Sequence, residues 1–373
     1  MSVLLLVMMG SGQMLYDAYR YTSLQMSSHS PTSPALAAAP RVSPVSVRVP
    51  APDRMSATVA AVASAVLFSV LVVEVGWRHA CLFLLGLALG VTLMHASFGF
   101  TGGWKRLVLE RRSRALRAQM VMVGVAALAF FPLLAASPIG GHALVGATAP
   151  MGFAVLIGAI LFGIGMQLAG GCGSGTLFSL GGGSPRMLVT LLAFVAGALV
   201  GTAHLGWWLS LPSLGAVNLG VALGWPTGLA VTVLALGAIY FWGRAVEKRA
   251  HGELEPLGMS ARAQAGPKSG AIHGASRSGV ATGWRRFVFG PWSLLVAALI
   301  LAALNVVTLL VAGHPWSITY AFGLWGAKLA QASGWAVQDW PFWQAGYNAR
   351  ALNSSVLSDV TSVMDFGLIL GSA

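Results

Sequence analysis

From residue 55 onward the chain alternates long apolar runs with short polar or glycine- and proline-rich connections. That spacing suits membrane-crossing helices, which need about 20 apolar residues each. The runs fall at 55–75, 80–100, 120–136, 151–170, 187–208 and 217–242, and then, after a long polar stretch, at 291–311. A shorter apolar piece at 317–330 is barely long enough to cross. Residues 338–357 are polar and aromatic and read as an exposed loop. A last apolar run starts at Val360 and stops at Ala373 after roughly a dozen residues, short of a span, so the chain is expected to end inside a helix, truncated at its C-terminus. Ahead of this pattern, residues 1–54 are rich in Ser, Pro and Ala and read as a disordered leader or as sequence upstream of a true start near Met55. The expected organisation is thus a leader (1–54), a first membrane half (55–242), a basic linker (243–290) and an incomplete second membrane half (291–373).

Composition narrows the class. The 373 residues are 56% hydrophobic and only 9% charged, against about 25% charged in soluble proteins. An all-α polytopic membrane protein follows. Its two cysteines exclude a disulfide scaffold and a multi-cysteine metal site, and no His spacing suggests a metal. A net charge of +12 raises nucleic acid as a partner, but the bases are confined to segments that flank apolar runs, the usual mark of the cytoplasmic side, so nucleic acid is excluded. Residues 105–117 carry Lys105, Arg106, Arg111, Arg112, Arg114 and Arg117 against Glu110 alone, and residues 243–286 are similarly basic. Both are predicted to be cytoplasmic loops, and the four runs between them return the chain to one side, as the charges require.

Between Gln119 and Trp242 the only formal charge is Arg186. It follows a glycine-rich run, G-G-C-G-S-G-T, that holds Cys172. Sliding the chain by 73 positions (99 to 172) lays G-V-T-L-M-H-A-S-F-G-F-T-G-G from Gly90 over G-I-G-M-Q-L-A-G-G-C-G-S-G-T from Gly163, with Gly99 over Cys172. A looser third copy starts at Pro315, with Thr319 in the place equivalent to Cys172. Each copy lies where glycine interrupts an apolar run, as in the broken helices of repeat transporters. Non-helical backbone at membrane depth must be buried in protein or line a polar cavity. Gly171, Gly173 and Gly175 let backbone approach a solute closely, a helix restarting near Ser174 would aim amide N–H groups at the break, and Cys172 and Thr176 would stand beside it. Such a site favours an anion, and a soft thiol suits sulfur.

Plainer readings stand beside this one. Membrane glycines often serve helix packing. A lone membrane cysteine is usually a small buried hydrophobe, which is the reading for Cys81. Arg186 reads first as an interfacial anchor and second as a substrate contact. His95, His204 and His314 read as individually satisfied polar residues. The glycine run is not a phosphate-binding loop, because no lysine follows it.

The stretches L-A-G-G-C-G-S-G-T-L-F-S-L-G-G-G-S (168–184) and F-G-F-T-G-G-W-K-R (98–106) resemble the YeeE/YedE family of bacterial inner-membrane sulfur-compound transporters, over roughly residues 55–373. The resemblance implies a pseudo-symmetric helical bundle of inverted-repeat type with short re-entrant helices, thiosulfate uptake, and thiols that pass the anion along by transient S–H hydrogen bonds. Cys172 matches the second of those thiols. Gly99 stands where the family's first cysteine is common, and the third would fall beyond Ala373 at the repeat spacing. On this reading the path comprises Cys172, Gly171, Gly173, Ser174, Gly175, Thr176, Gly99, Thr101 and Arg186, with no cofactor, no metal and no catalytic residue. The expected partners are a small sulfur anion, the lipid bilayer and a small sulfur-carrier protein on the cytoplasmic side. The rival reading is a membrane-bound sulfur-transfer or redox protein that uses Cys172 as a persulfide carrier.

Overall fold

The computed structural model describes residues 54–258 and 292–373 apart from residues 147, 149 and 345. The predicted leader and most of the basic linker lie outside the described residues.

Almost everything described is helix. In chain order the elements are α1 (Arg54–Val70), continued by a π-helical turn Leu71–Val75, α2 (Trp77–Ala96), α3 (Phe100–Glu110), α4 (Arg114–Ala135), β1 (Pro150–Gly152), α5 (Phe153–Ala169), α6 (Gly173–Gly181) and α7 (Pro185–Leu209). There follow β2 (Ser213–Ala216), α8 (Leu219–Ala222), α9 (Trp225–His251), α10 (Leu294–Ala312), α11 (Thr319–Ala332), α12 (Gly346–Asn353) and α13 (Val360–Ser372). Among the described residues seven helical stretches are long and apolar enough to cross a membrane. The protein is therefore a multi-pass helical membrane protein. β1 and β2 form one antiparallel pair that ties the start of α5 to the end of α7.

Helix boundaries follow local chemistry. Ser293 caps α10 by accepting from the Val296 N–H, and Asp359 caps α13 by accepting from the Ser362 N–H at 2.7 Å. α7 begins with Pro185, whose missing N–H costs nothing in a first turn. α5 and α7 are apolar all round and largely exposed, as expected of lipid-facing helices. α13 is the reverse: most of its residues are buried against α2, α6 and α11. With α10 and α4 these form the main core, in which Leu82, Leu89, Leu93, Leu177, Leu301, Phe322, Met364 and Leu368 pack together.

The α2–α13 contact is made by two four-residue glycine spacings, Gly86/Gly90 and Gly367/Gly371. A methyl on Gly86 or Gly90 would run into the carbonyls of Met364 or Leu368, and one on Gly367 or Gly371 into those of Phe83 or Leu87. Small residues at such spacing let helix backbones touch, the usual packing device where lipid supplies no hydrophobic drive.

The 73-residue repeat is present residue for residue. α2 ends at Ala96 and α5 at Ala169. The next residues, Ser97 and Gly170, are both left-handed, at φ 48° and 77°. Gly99 and Cys172 are then the N-caps of the short helices α3 and α6. In the third copy α10 also ends on a left-handed glycine, Gly313 at φ 79°, but the connection runs through residue 318, so Ile318 and not Thr319 is the N-cap of α11. The proline at 315 and the bulky Trp316 demand the longer connection.

Two other expectations need correction. Much of segment 105–117 is helix, the end of α3 and the start of α4, because Arg111 at φ 52° turns the chain within three residues. Segment 338–357 is not a loose loop: two 3-10 turns (Val337–Asp339, Pro341–Trp343) and α12 bury Val337, Trp343, Ala351 and Leu352 against Leu324, Ala327 and Ala330 of α11. Its aromatic residues are packing groups.

Candidate solute site

Cys172 lies at the break between α5 and α6, 9% exposed, with extended backbone (φ −81°, ψ −176°). Gly170 makes the break possible, since its left-handed conformation is strained for any residue with a Cβ. The Thr176 N–H reaches the Cys172 carbonyl at 2.8 Å, closing the first helical turn. The Cys172 side chain does not cap α6, so the amides of Gly173, Ser174 and Gly175 have no acceptor within the helix. The thiol instead meets the Ser174 hydroxyl, Sγ to Oγ 3.3 Å.

The surrounding glycines are there for close approach. A Cβ on Gly175 would lie 3.5 Å from the Cys172 sulfur, and one on Gly171 would lie 3.3 Å from the Thr176 nitrogen and 3.5 Å from its Oγ1. A Cβ on Gly173 would lie 3.4 Å from Ile318 Cγ2 and 3.6 Å from Thr319 Cγ2. The start of α6 therefore touches the start of α11, and two helix breaks meet. Beyond Thr319 a largely apolar cavity of about 710 Å³ opens between α5, α7 and α11, with Ser317, Thr319 and Tyr320 on its wall.

Three buried polar atoms on the segments that lead into or out of these breaks have no hydrogen-bond partner among the described residues: Thr176 Oγ1, Gln167 Nε2 in the last turn of α5, and Trp316 Nε1 just ahead of α11. A buried donor left unmatched is costly, and a polar guest is one way to match it. Thr176 was expected from the sequence; Gln167 and Trp316 were not. The signal for Gln167 was present, as the lone carboxamide in an otherwise apolar helix. That for Trp316 was masked by the many tryptophans of a membrane protein.

The remaining candidates gather elsewhere. Gly99 lies at the first break, where its carbonyl accepts from Gln119 Nε2 at 3.4 Å, and with Gly102, Lys105, Arg106, Glu110, Arg114 and Gln119 it lines a cavity of about 320 Å³. Thr101 is buried in the first turn of α3 with Oγ1 unmatched. Arg186, in the first turn of α7, is exposed and holds Nη2 3.5 Å from the place a Cβ would take on Gly170. It thus overhangs the Cys172 break rather than standing apart as an anchor alone. Cys81, in the second turn of α2, is half-buried, and neither cysteine is in a disulfide. His95, His204 and His314 are far apart, each with a ring nitrogen near 3 Å from a backbone carbonyl.

The two basic segments meet at one end of the bundle. Glu247 of α9, wholly buried, accepts from the Ser113 N–H at 3.1 Å and from Arg117 Nη2 at 3.1 Å, while its other oxygen accepts from the Glu255 N–H at 2.9 Å. Arg106 and Arg112 add contacts to Glu255 at 3.2 and 3.5 Å. The cavity beside Gly99 opens at this same end, because Arg106, Glu110 and Arg114 belong to its wall.

A family model described as "Sulphur transport" matches residues 95–373, a span that takes in both in-register breaks and α13. The chain belongs to the sulphur-transport family. The match begins at His95, one residue before α2 ends, and so takes in the first break. A curated relative, the thiosulfate transporter TsuA of Escherichia coli (strain K12), is 29% identical over 120 residues. Those residues are 32% of this chain and 33% of the relative, so the chain matches about a third of that protein's length.

Proposed function

We propose that this sulphur-transport protein imports thiosulfate or a related small sulfur anion across a bacterial inner membrane, by a path that passes Cys172. The observation that carries the reading is a thiol at a helix start, with the Thr176 hydroxyl of the same first turn buried and unmatched among the described residues. A divalent anion loses a large hydration energy on leaving water, so its path must offer several donors together. The amides of Gly173, Ser174 and Gly175, the Thr176 hydroxyl, Gln167 Nε2 and Trp316 Nε1 supply them without a fixed positive charge that would trap the ion. Cys172 acts as a neutral S–H donor, because a thiolate there would repel the guest. The Ser174 hydroxyl, 3.3 Å from the sulfur, orients that donor. Arg186 over Gly170 and the cationic cavity beside Gly99 serve as approaches to the narrow part, with Thr101 in the first turn after Gly99. The basic end is cytoplasmic, by the charge rule, and is the face on which a small sulfur-carrier protein would collect the cargo.

On this reading no covalent step and no cofactor is involved. The persulfide alternative needs a thiolate-stabilising cation, a resolving thiol or a partner protein, and the other cysteine, Cys81, lies in α2. Mass spectrometry of Cys172 after exposure to a sulfur donor separates the two: a conduit leaves no stable adduct, and a persulfide carrier does. Uptake of radiolabelled thiosulfate into a sulfur-starved host or into proteoliposomes is the direct test. Undiminished uptake by Cys172→Ala would remove the thiol from the mechanism.

A further inference from the structure

One wholly buried carboxyl lies outside the residues of the solute path described above. Asp365 sits in the middle of α13, wholly buried, with both side-chain oxygens lacking a hydrogen-bond partner among the described residues. An ionised carboxylate in such a place needs a counter-charge, and the cations on the neighbouring helices are committed elsewhere. Arg78 of α2 donates to the carbonyls of Val311 and Ala312 at 2.9 and 2.8 Å. Lys328 of α11 donates to those of Leu352 and Ser354 at 2.8 and 2.6 Å. Of the other titratable groups on packed elements, His79 meets the Ser358 carbonyl at 3.1 Å and Tyr320 donates to Asn348. His95 meets the Val91 carbonyl, and neither Cys81 of α2 nor Glu74 of the π-helical turn bonds Asp365, whose two oxygens are both unmatched. α6 carries no titratable side chain within Gly173–Gly181, and Asp359, one end of α13, is held by Tyr347 and Ser362. Among the described residues Asp365 thus has nothing to pair with except a proton.

The surroundings make that proton consequential. α13 is held to α2 at backbone contact through the four interleaved glycines. Its other side meets α6: a Cβ on Gly181 would collide with the Ile369 carbonyl and Ser372 Oγ. α6 is the helix whose N-cap is Cys172 and whose Thr176 hydroxyl is unmatched. Asp365 lies four residues before Ile369, one helical turn away on the same side of α13.

We infer that Asp365 is a proton-carrying site that couples anion movement to proton movement, an inference that rests on the anion-transport reading above. Asp365 at rest is the neutral acid and accompanies the anion inward; it gives up its proton on the inner side as the anion leaves, and takes another from the outer side before the next cycle; no electron moves and no other bond changes. The need is electrical. Against an inside-negative potential each negative charge carried inward is opposed by roughly 50-fold per 100 mV, and each proton carried with it cancels one such factor.

The experiment uses the full chain in proteoliposomes with radiolabelled thiosulfate. Wild type is expected to show counterflow exchange without a gradient and, with acid outside by one pH unit, accumulation raised up to about tenfold per coupled proton. Asp365→Asn, which keeps the shape and fixes a neutral group, is expected to keep the exchange and to lose the gradient response, with less than a twofold effect. Infrared spectra of the purified wild type should show a buried protonated-carboxyl band at neutral pH that Asp365→Asn removes. A variant that follows the gradient as wild type does overturns the proposal, as does a wild type that exchanges but ignores the gradient. Absence of exchange in wild type removes the transport reading and the proposal with it. Absence of the infrared band overturns the proton site alone, whether or not the variant folds.

Discussion

Replacing Gly367 by alanine attacks the contact on which the central helices depend. The added methyl carbon would stand 2.5 Å from the Phe83 carbonyl oxygen, 2.9 Å from the Leu87 nitrogen and 3.0 Å from Gly86 Cα, all backbone atoms that cannot rotate aside. Carbon and carbonyl oxygen normally rest no closer than about 3.3 Å, so α2 and α13 must separate by roughly 0.8 Å. Neighbouring glycines are interleaved the same way, and that shift loosens the whole crossing. Overpacking of this kind costs about 1–3 kcal/mol, against which alanine recovers about 0.5–1 kcal/mol of helix propensity. The net expectation is a loss of about 1–2 kcal/mol, read as a lowered unfolding midpoint of purified protein in detergent. Gly158→Ala in α5, where a Cβ meets nothing within 4 Å, is the control and should be neutral or slightly stabilising. Equal behaviour of the two variants would refute the claim that α2 and α13 are held at backbone contact.

Thr176→Val removes a buried hydroxyl that no protein group satisfies while keeping the shape; stability should be unchanged or rise by up to about 1 kcal/mol, while thiosulfate uptake falls, measured side by side by thermal melts and flux. A fall in both would mean that the hydroxyl is structural. Glu247→Ala leaves Arg117 and the Ser113 and Glu255 amides without their buried acceptor and should cost about 3–5 kcal/mol, seen as a lower melting temperature and as faster proteolysis near residue 113.

Much of this architecture is legible in the sequence because a bilayer forces simple rules on it. Apolar run length gives most of the spans, and the charge rule places both basic segments together, as the Glu247 cluster joins them. The 73-residue repeat is legible because glycine and left-handed backbone are local properties: Ser97 and Gly170, then Gly99 and Cys172, fall in register. What is not local stays hidden. The glycine pairs on α2 and α13 are visible singly, but nothing in the string says that Gly86 faces Met364, some 280 positions away, or that α13 runs through the centre. Segment 338–357 misleads because polar and aromatic residues suit a loop as well as a packed cap, and Trp343 is buried only by its meeting with α11. Of the site, the Cys172 cluster is read from the motif, whereas the unmatched burial of Gln167 and Trp316 depends on how α5 and the connection before α11 pack.

The most direct test of the central claim is the initial rate of thiosulfate uptake into proteoliposomes by wild type and by Cys172→Ser and Cys172→Ala, with folding checked by the same melts. A sulfur-lined break predicts that alanine lowers the rate at least about tenfold, as loss of a needed donor does, with serine between alanine and wild type. Rates for the alanine variant within twofold of wild type, in protein of unchanged stability, would contradict the account.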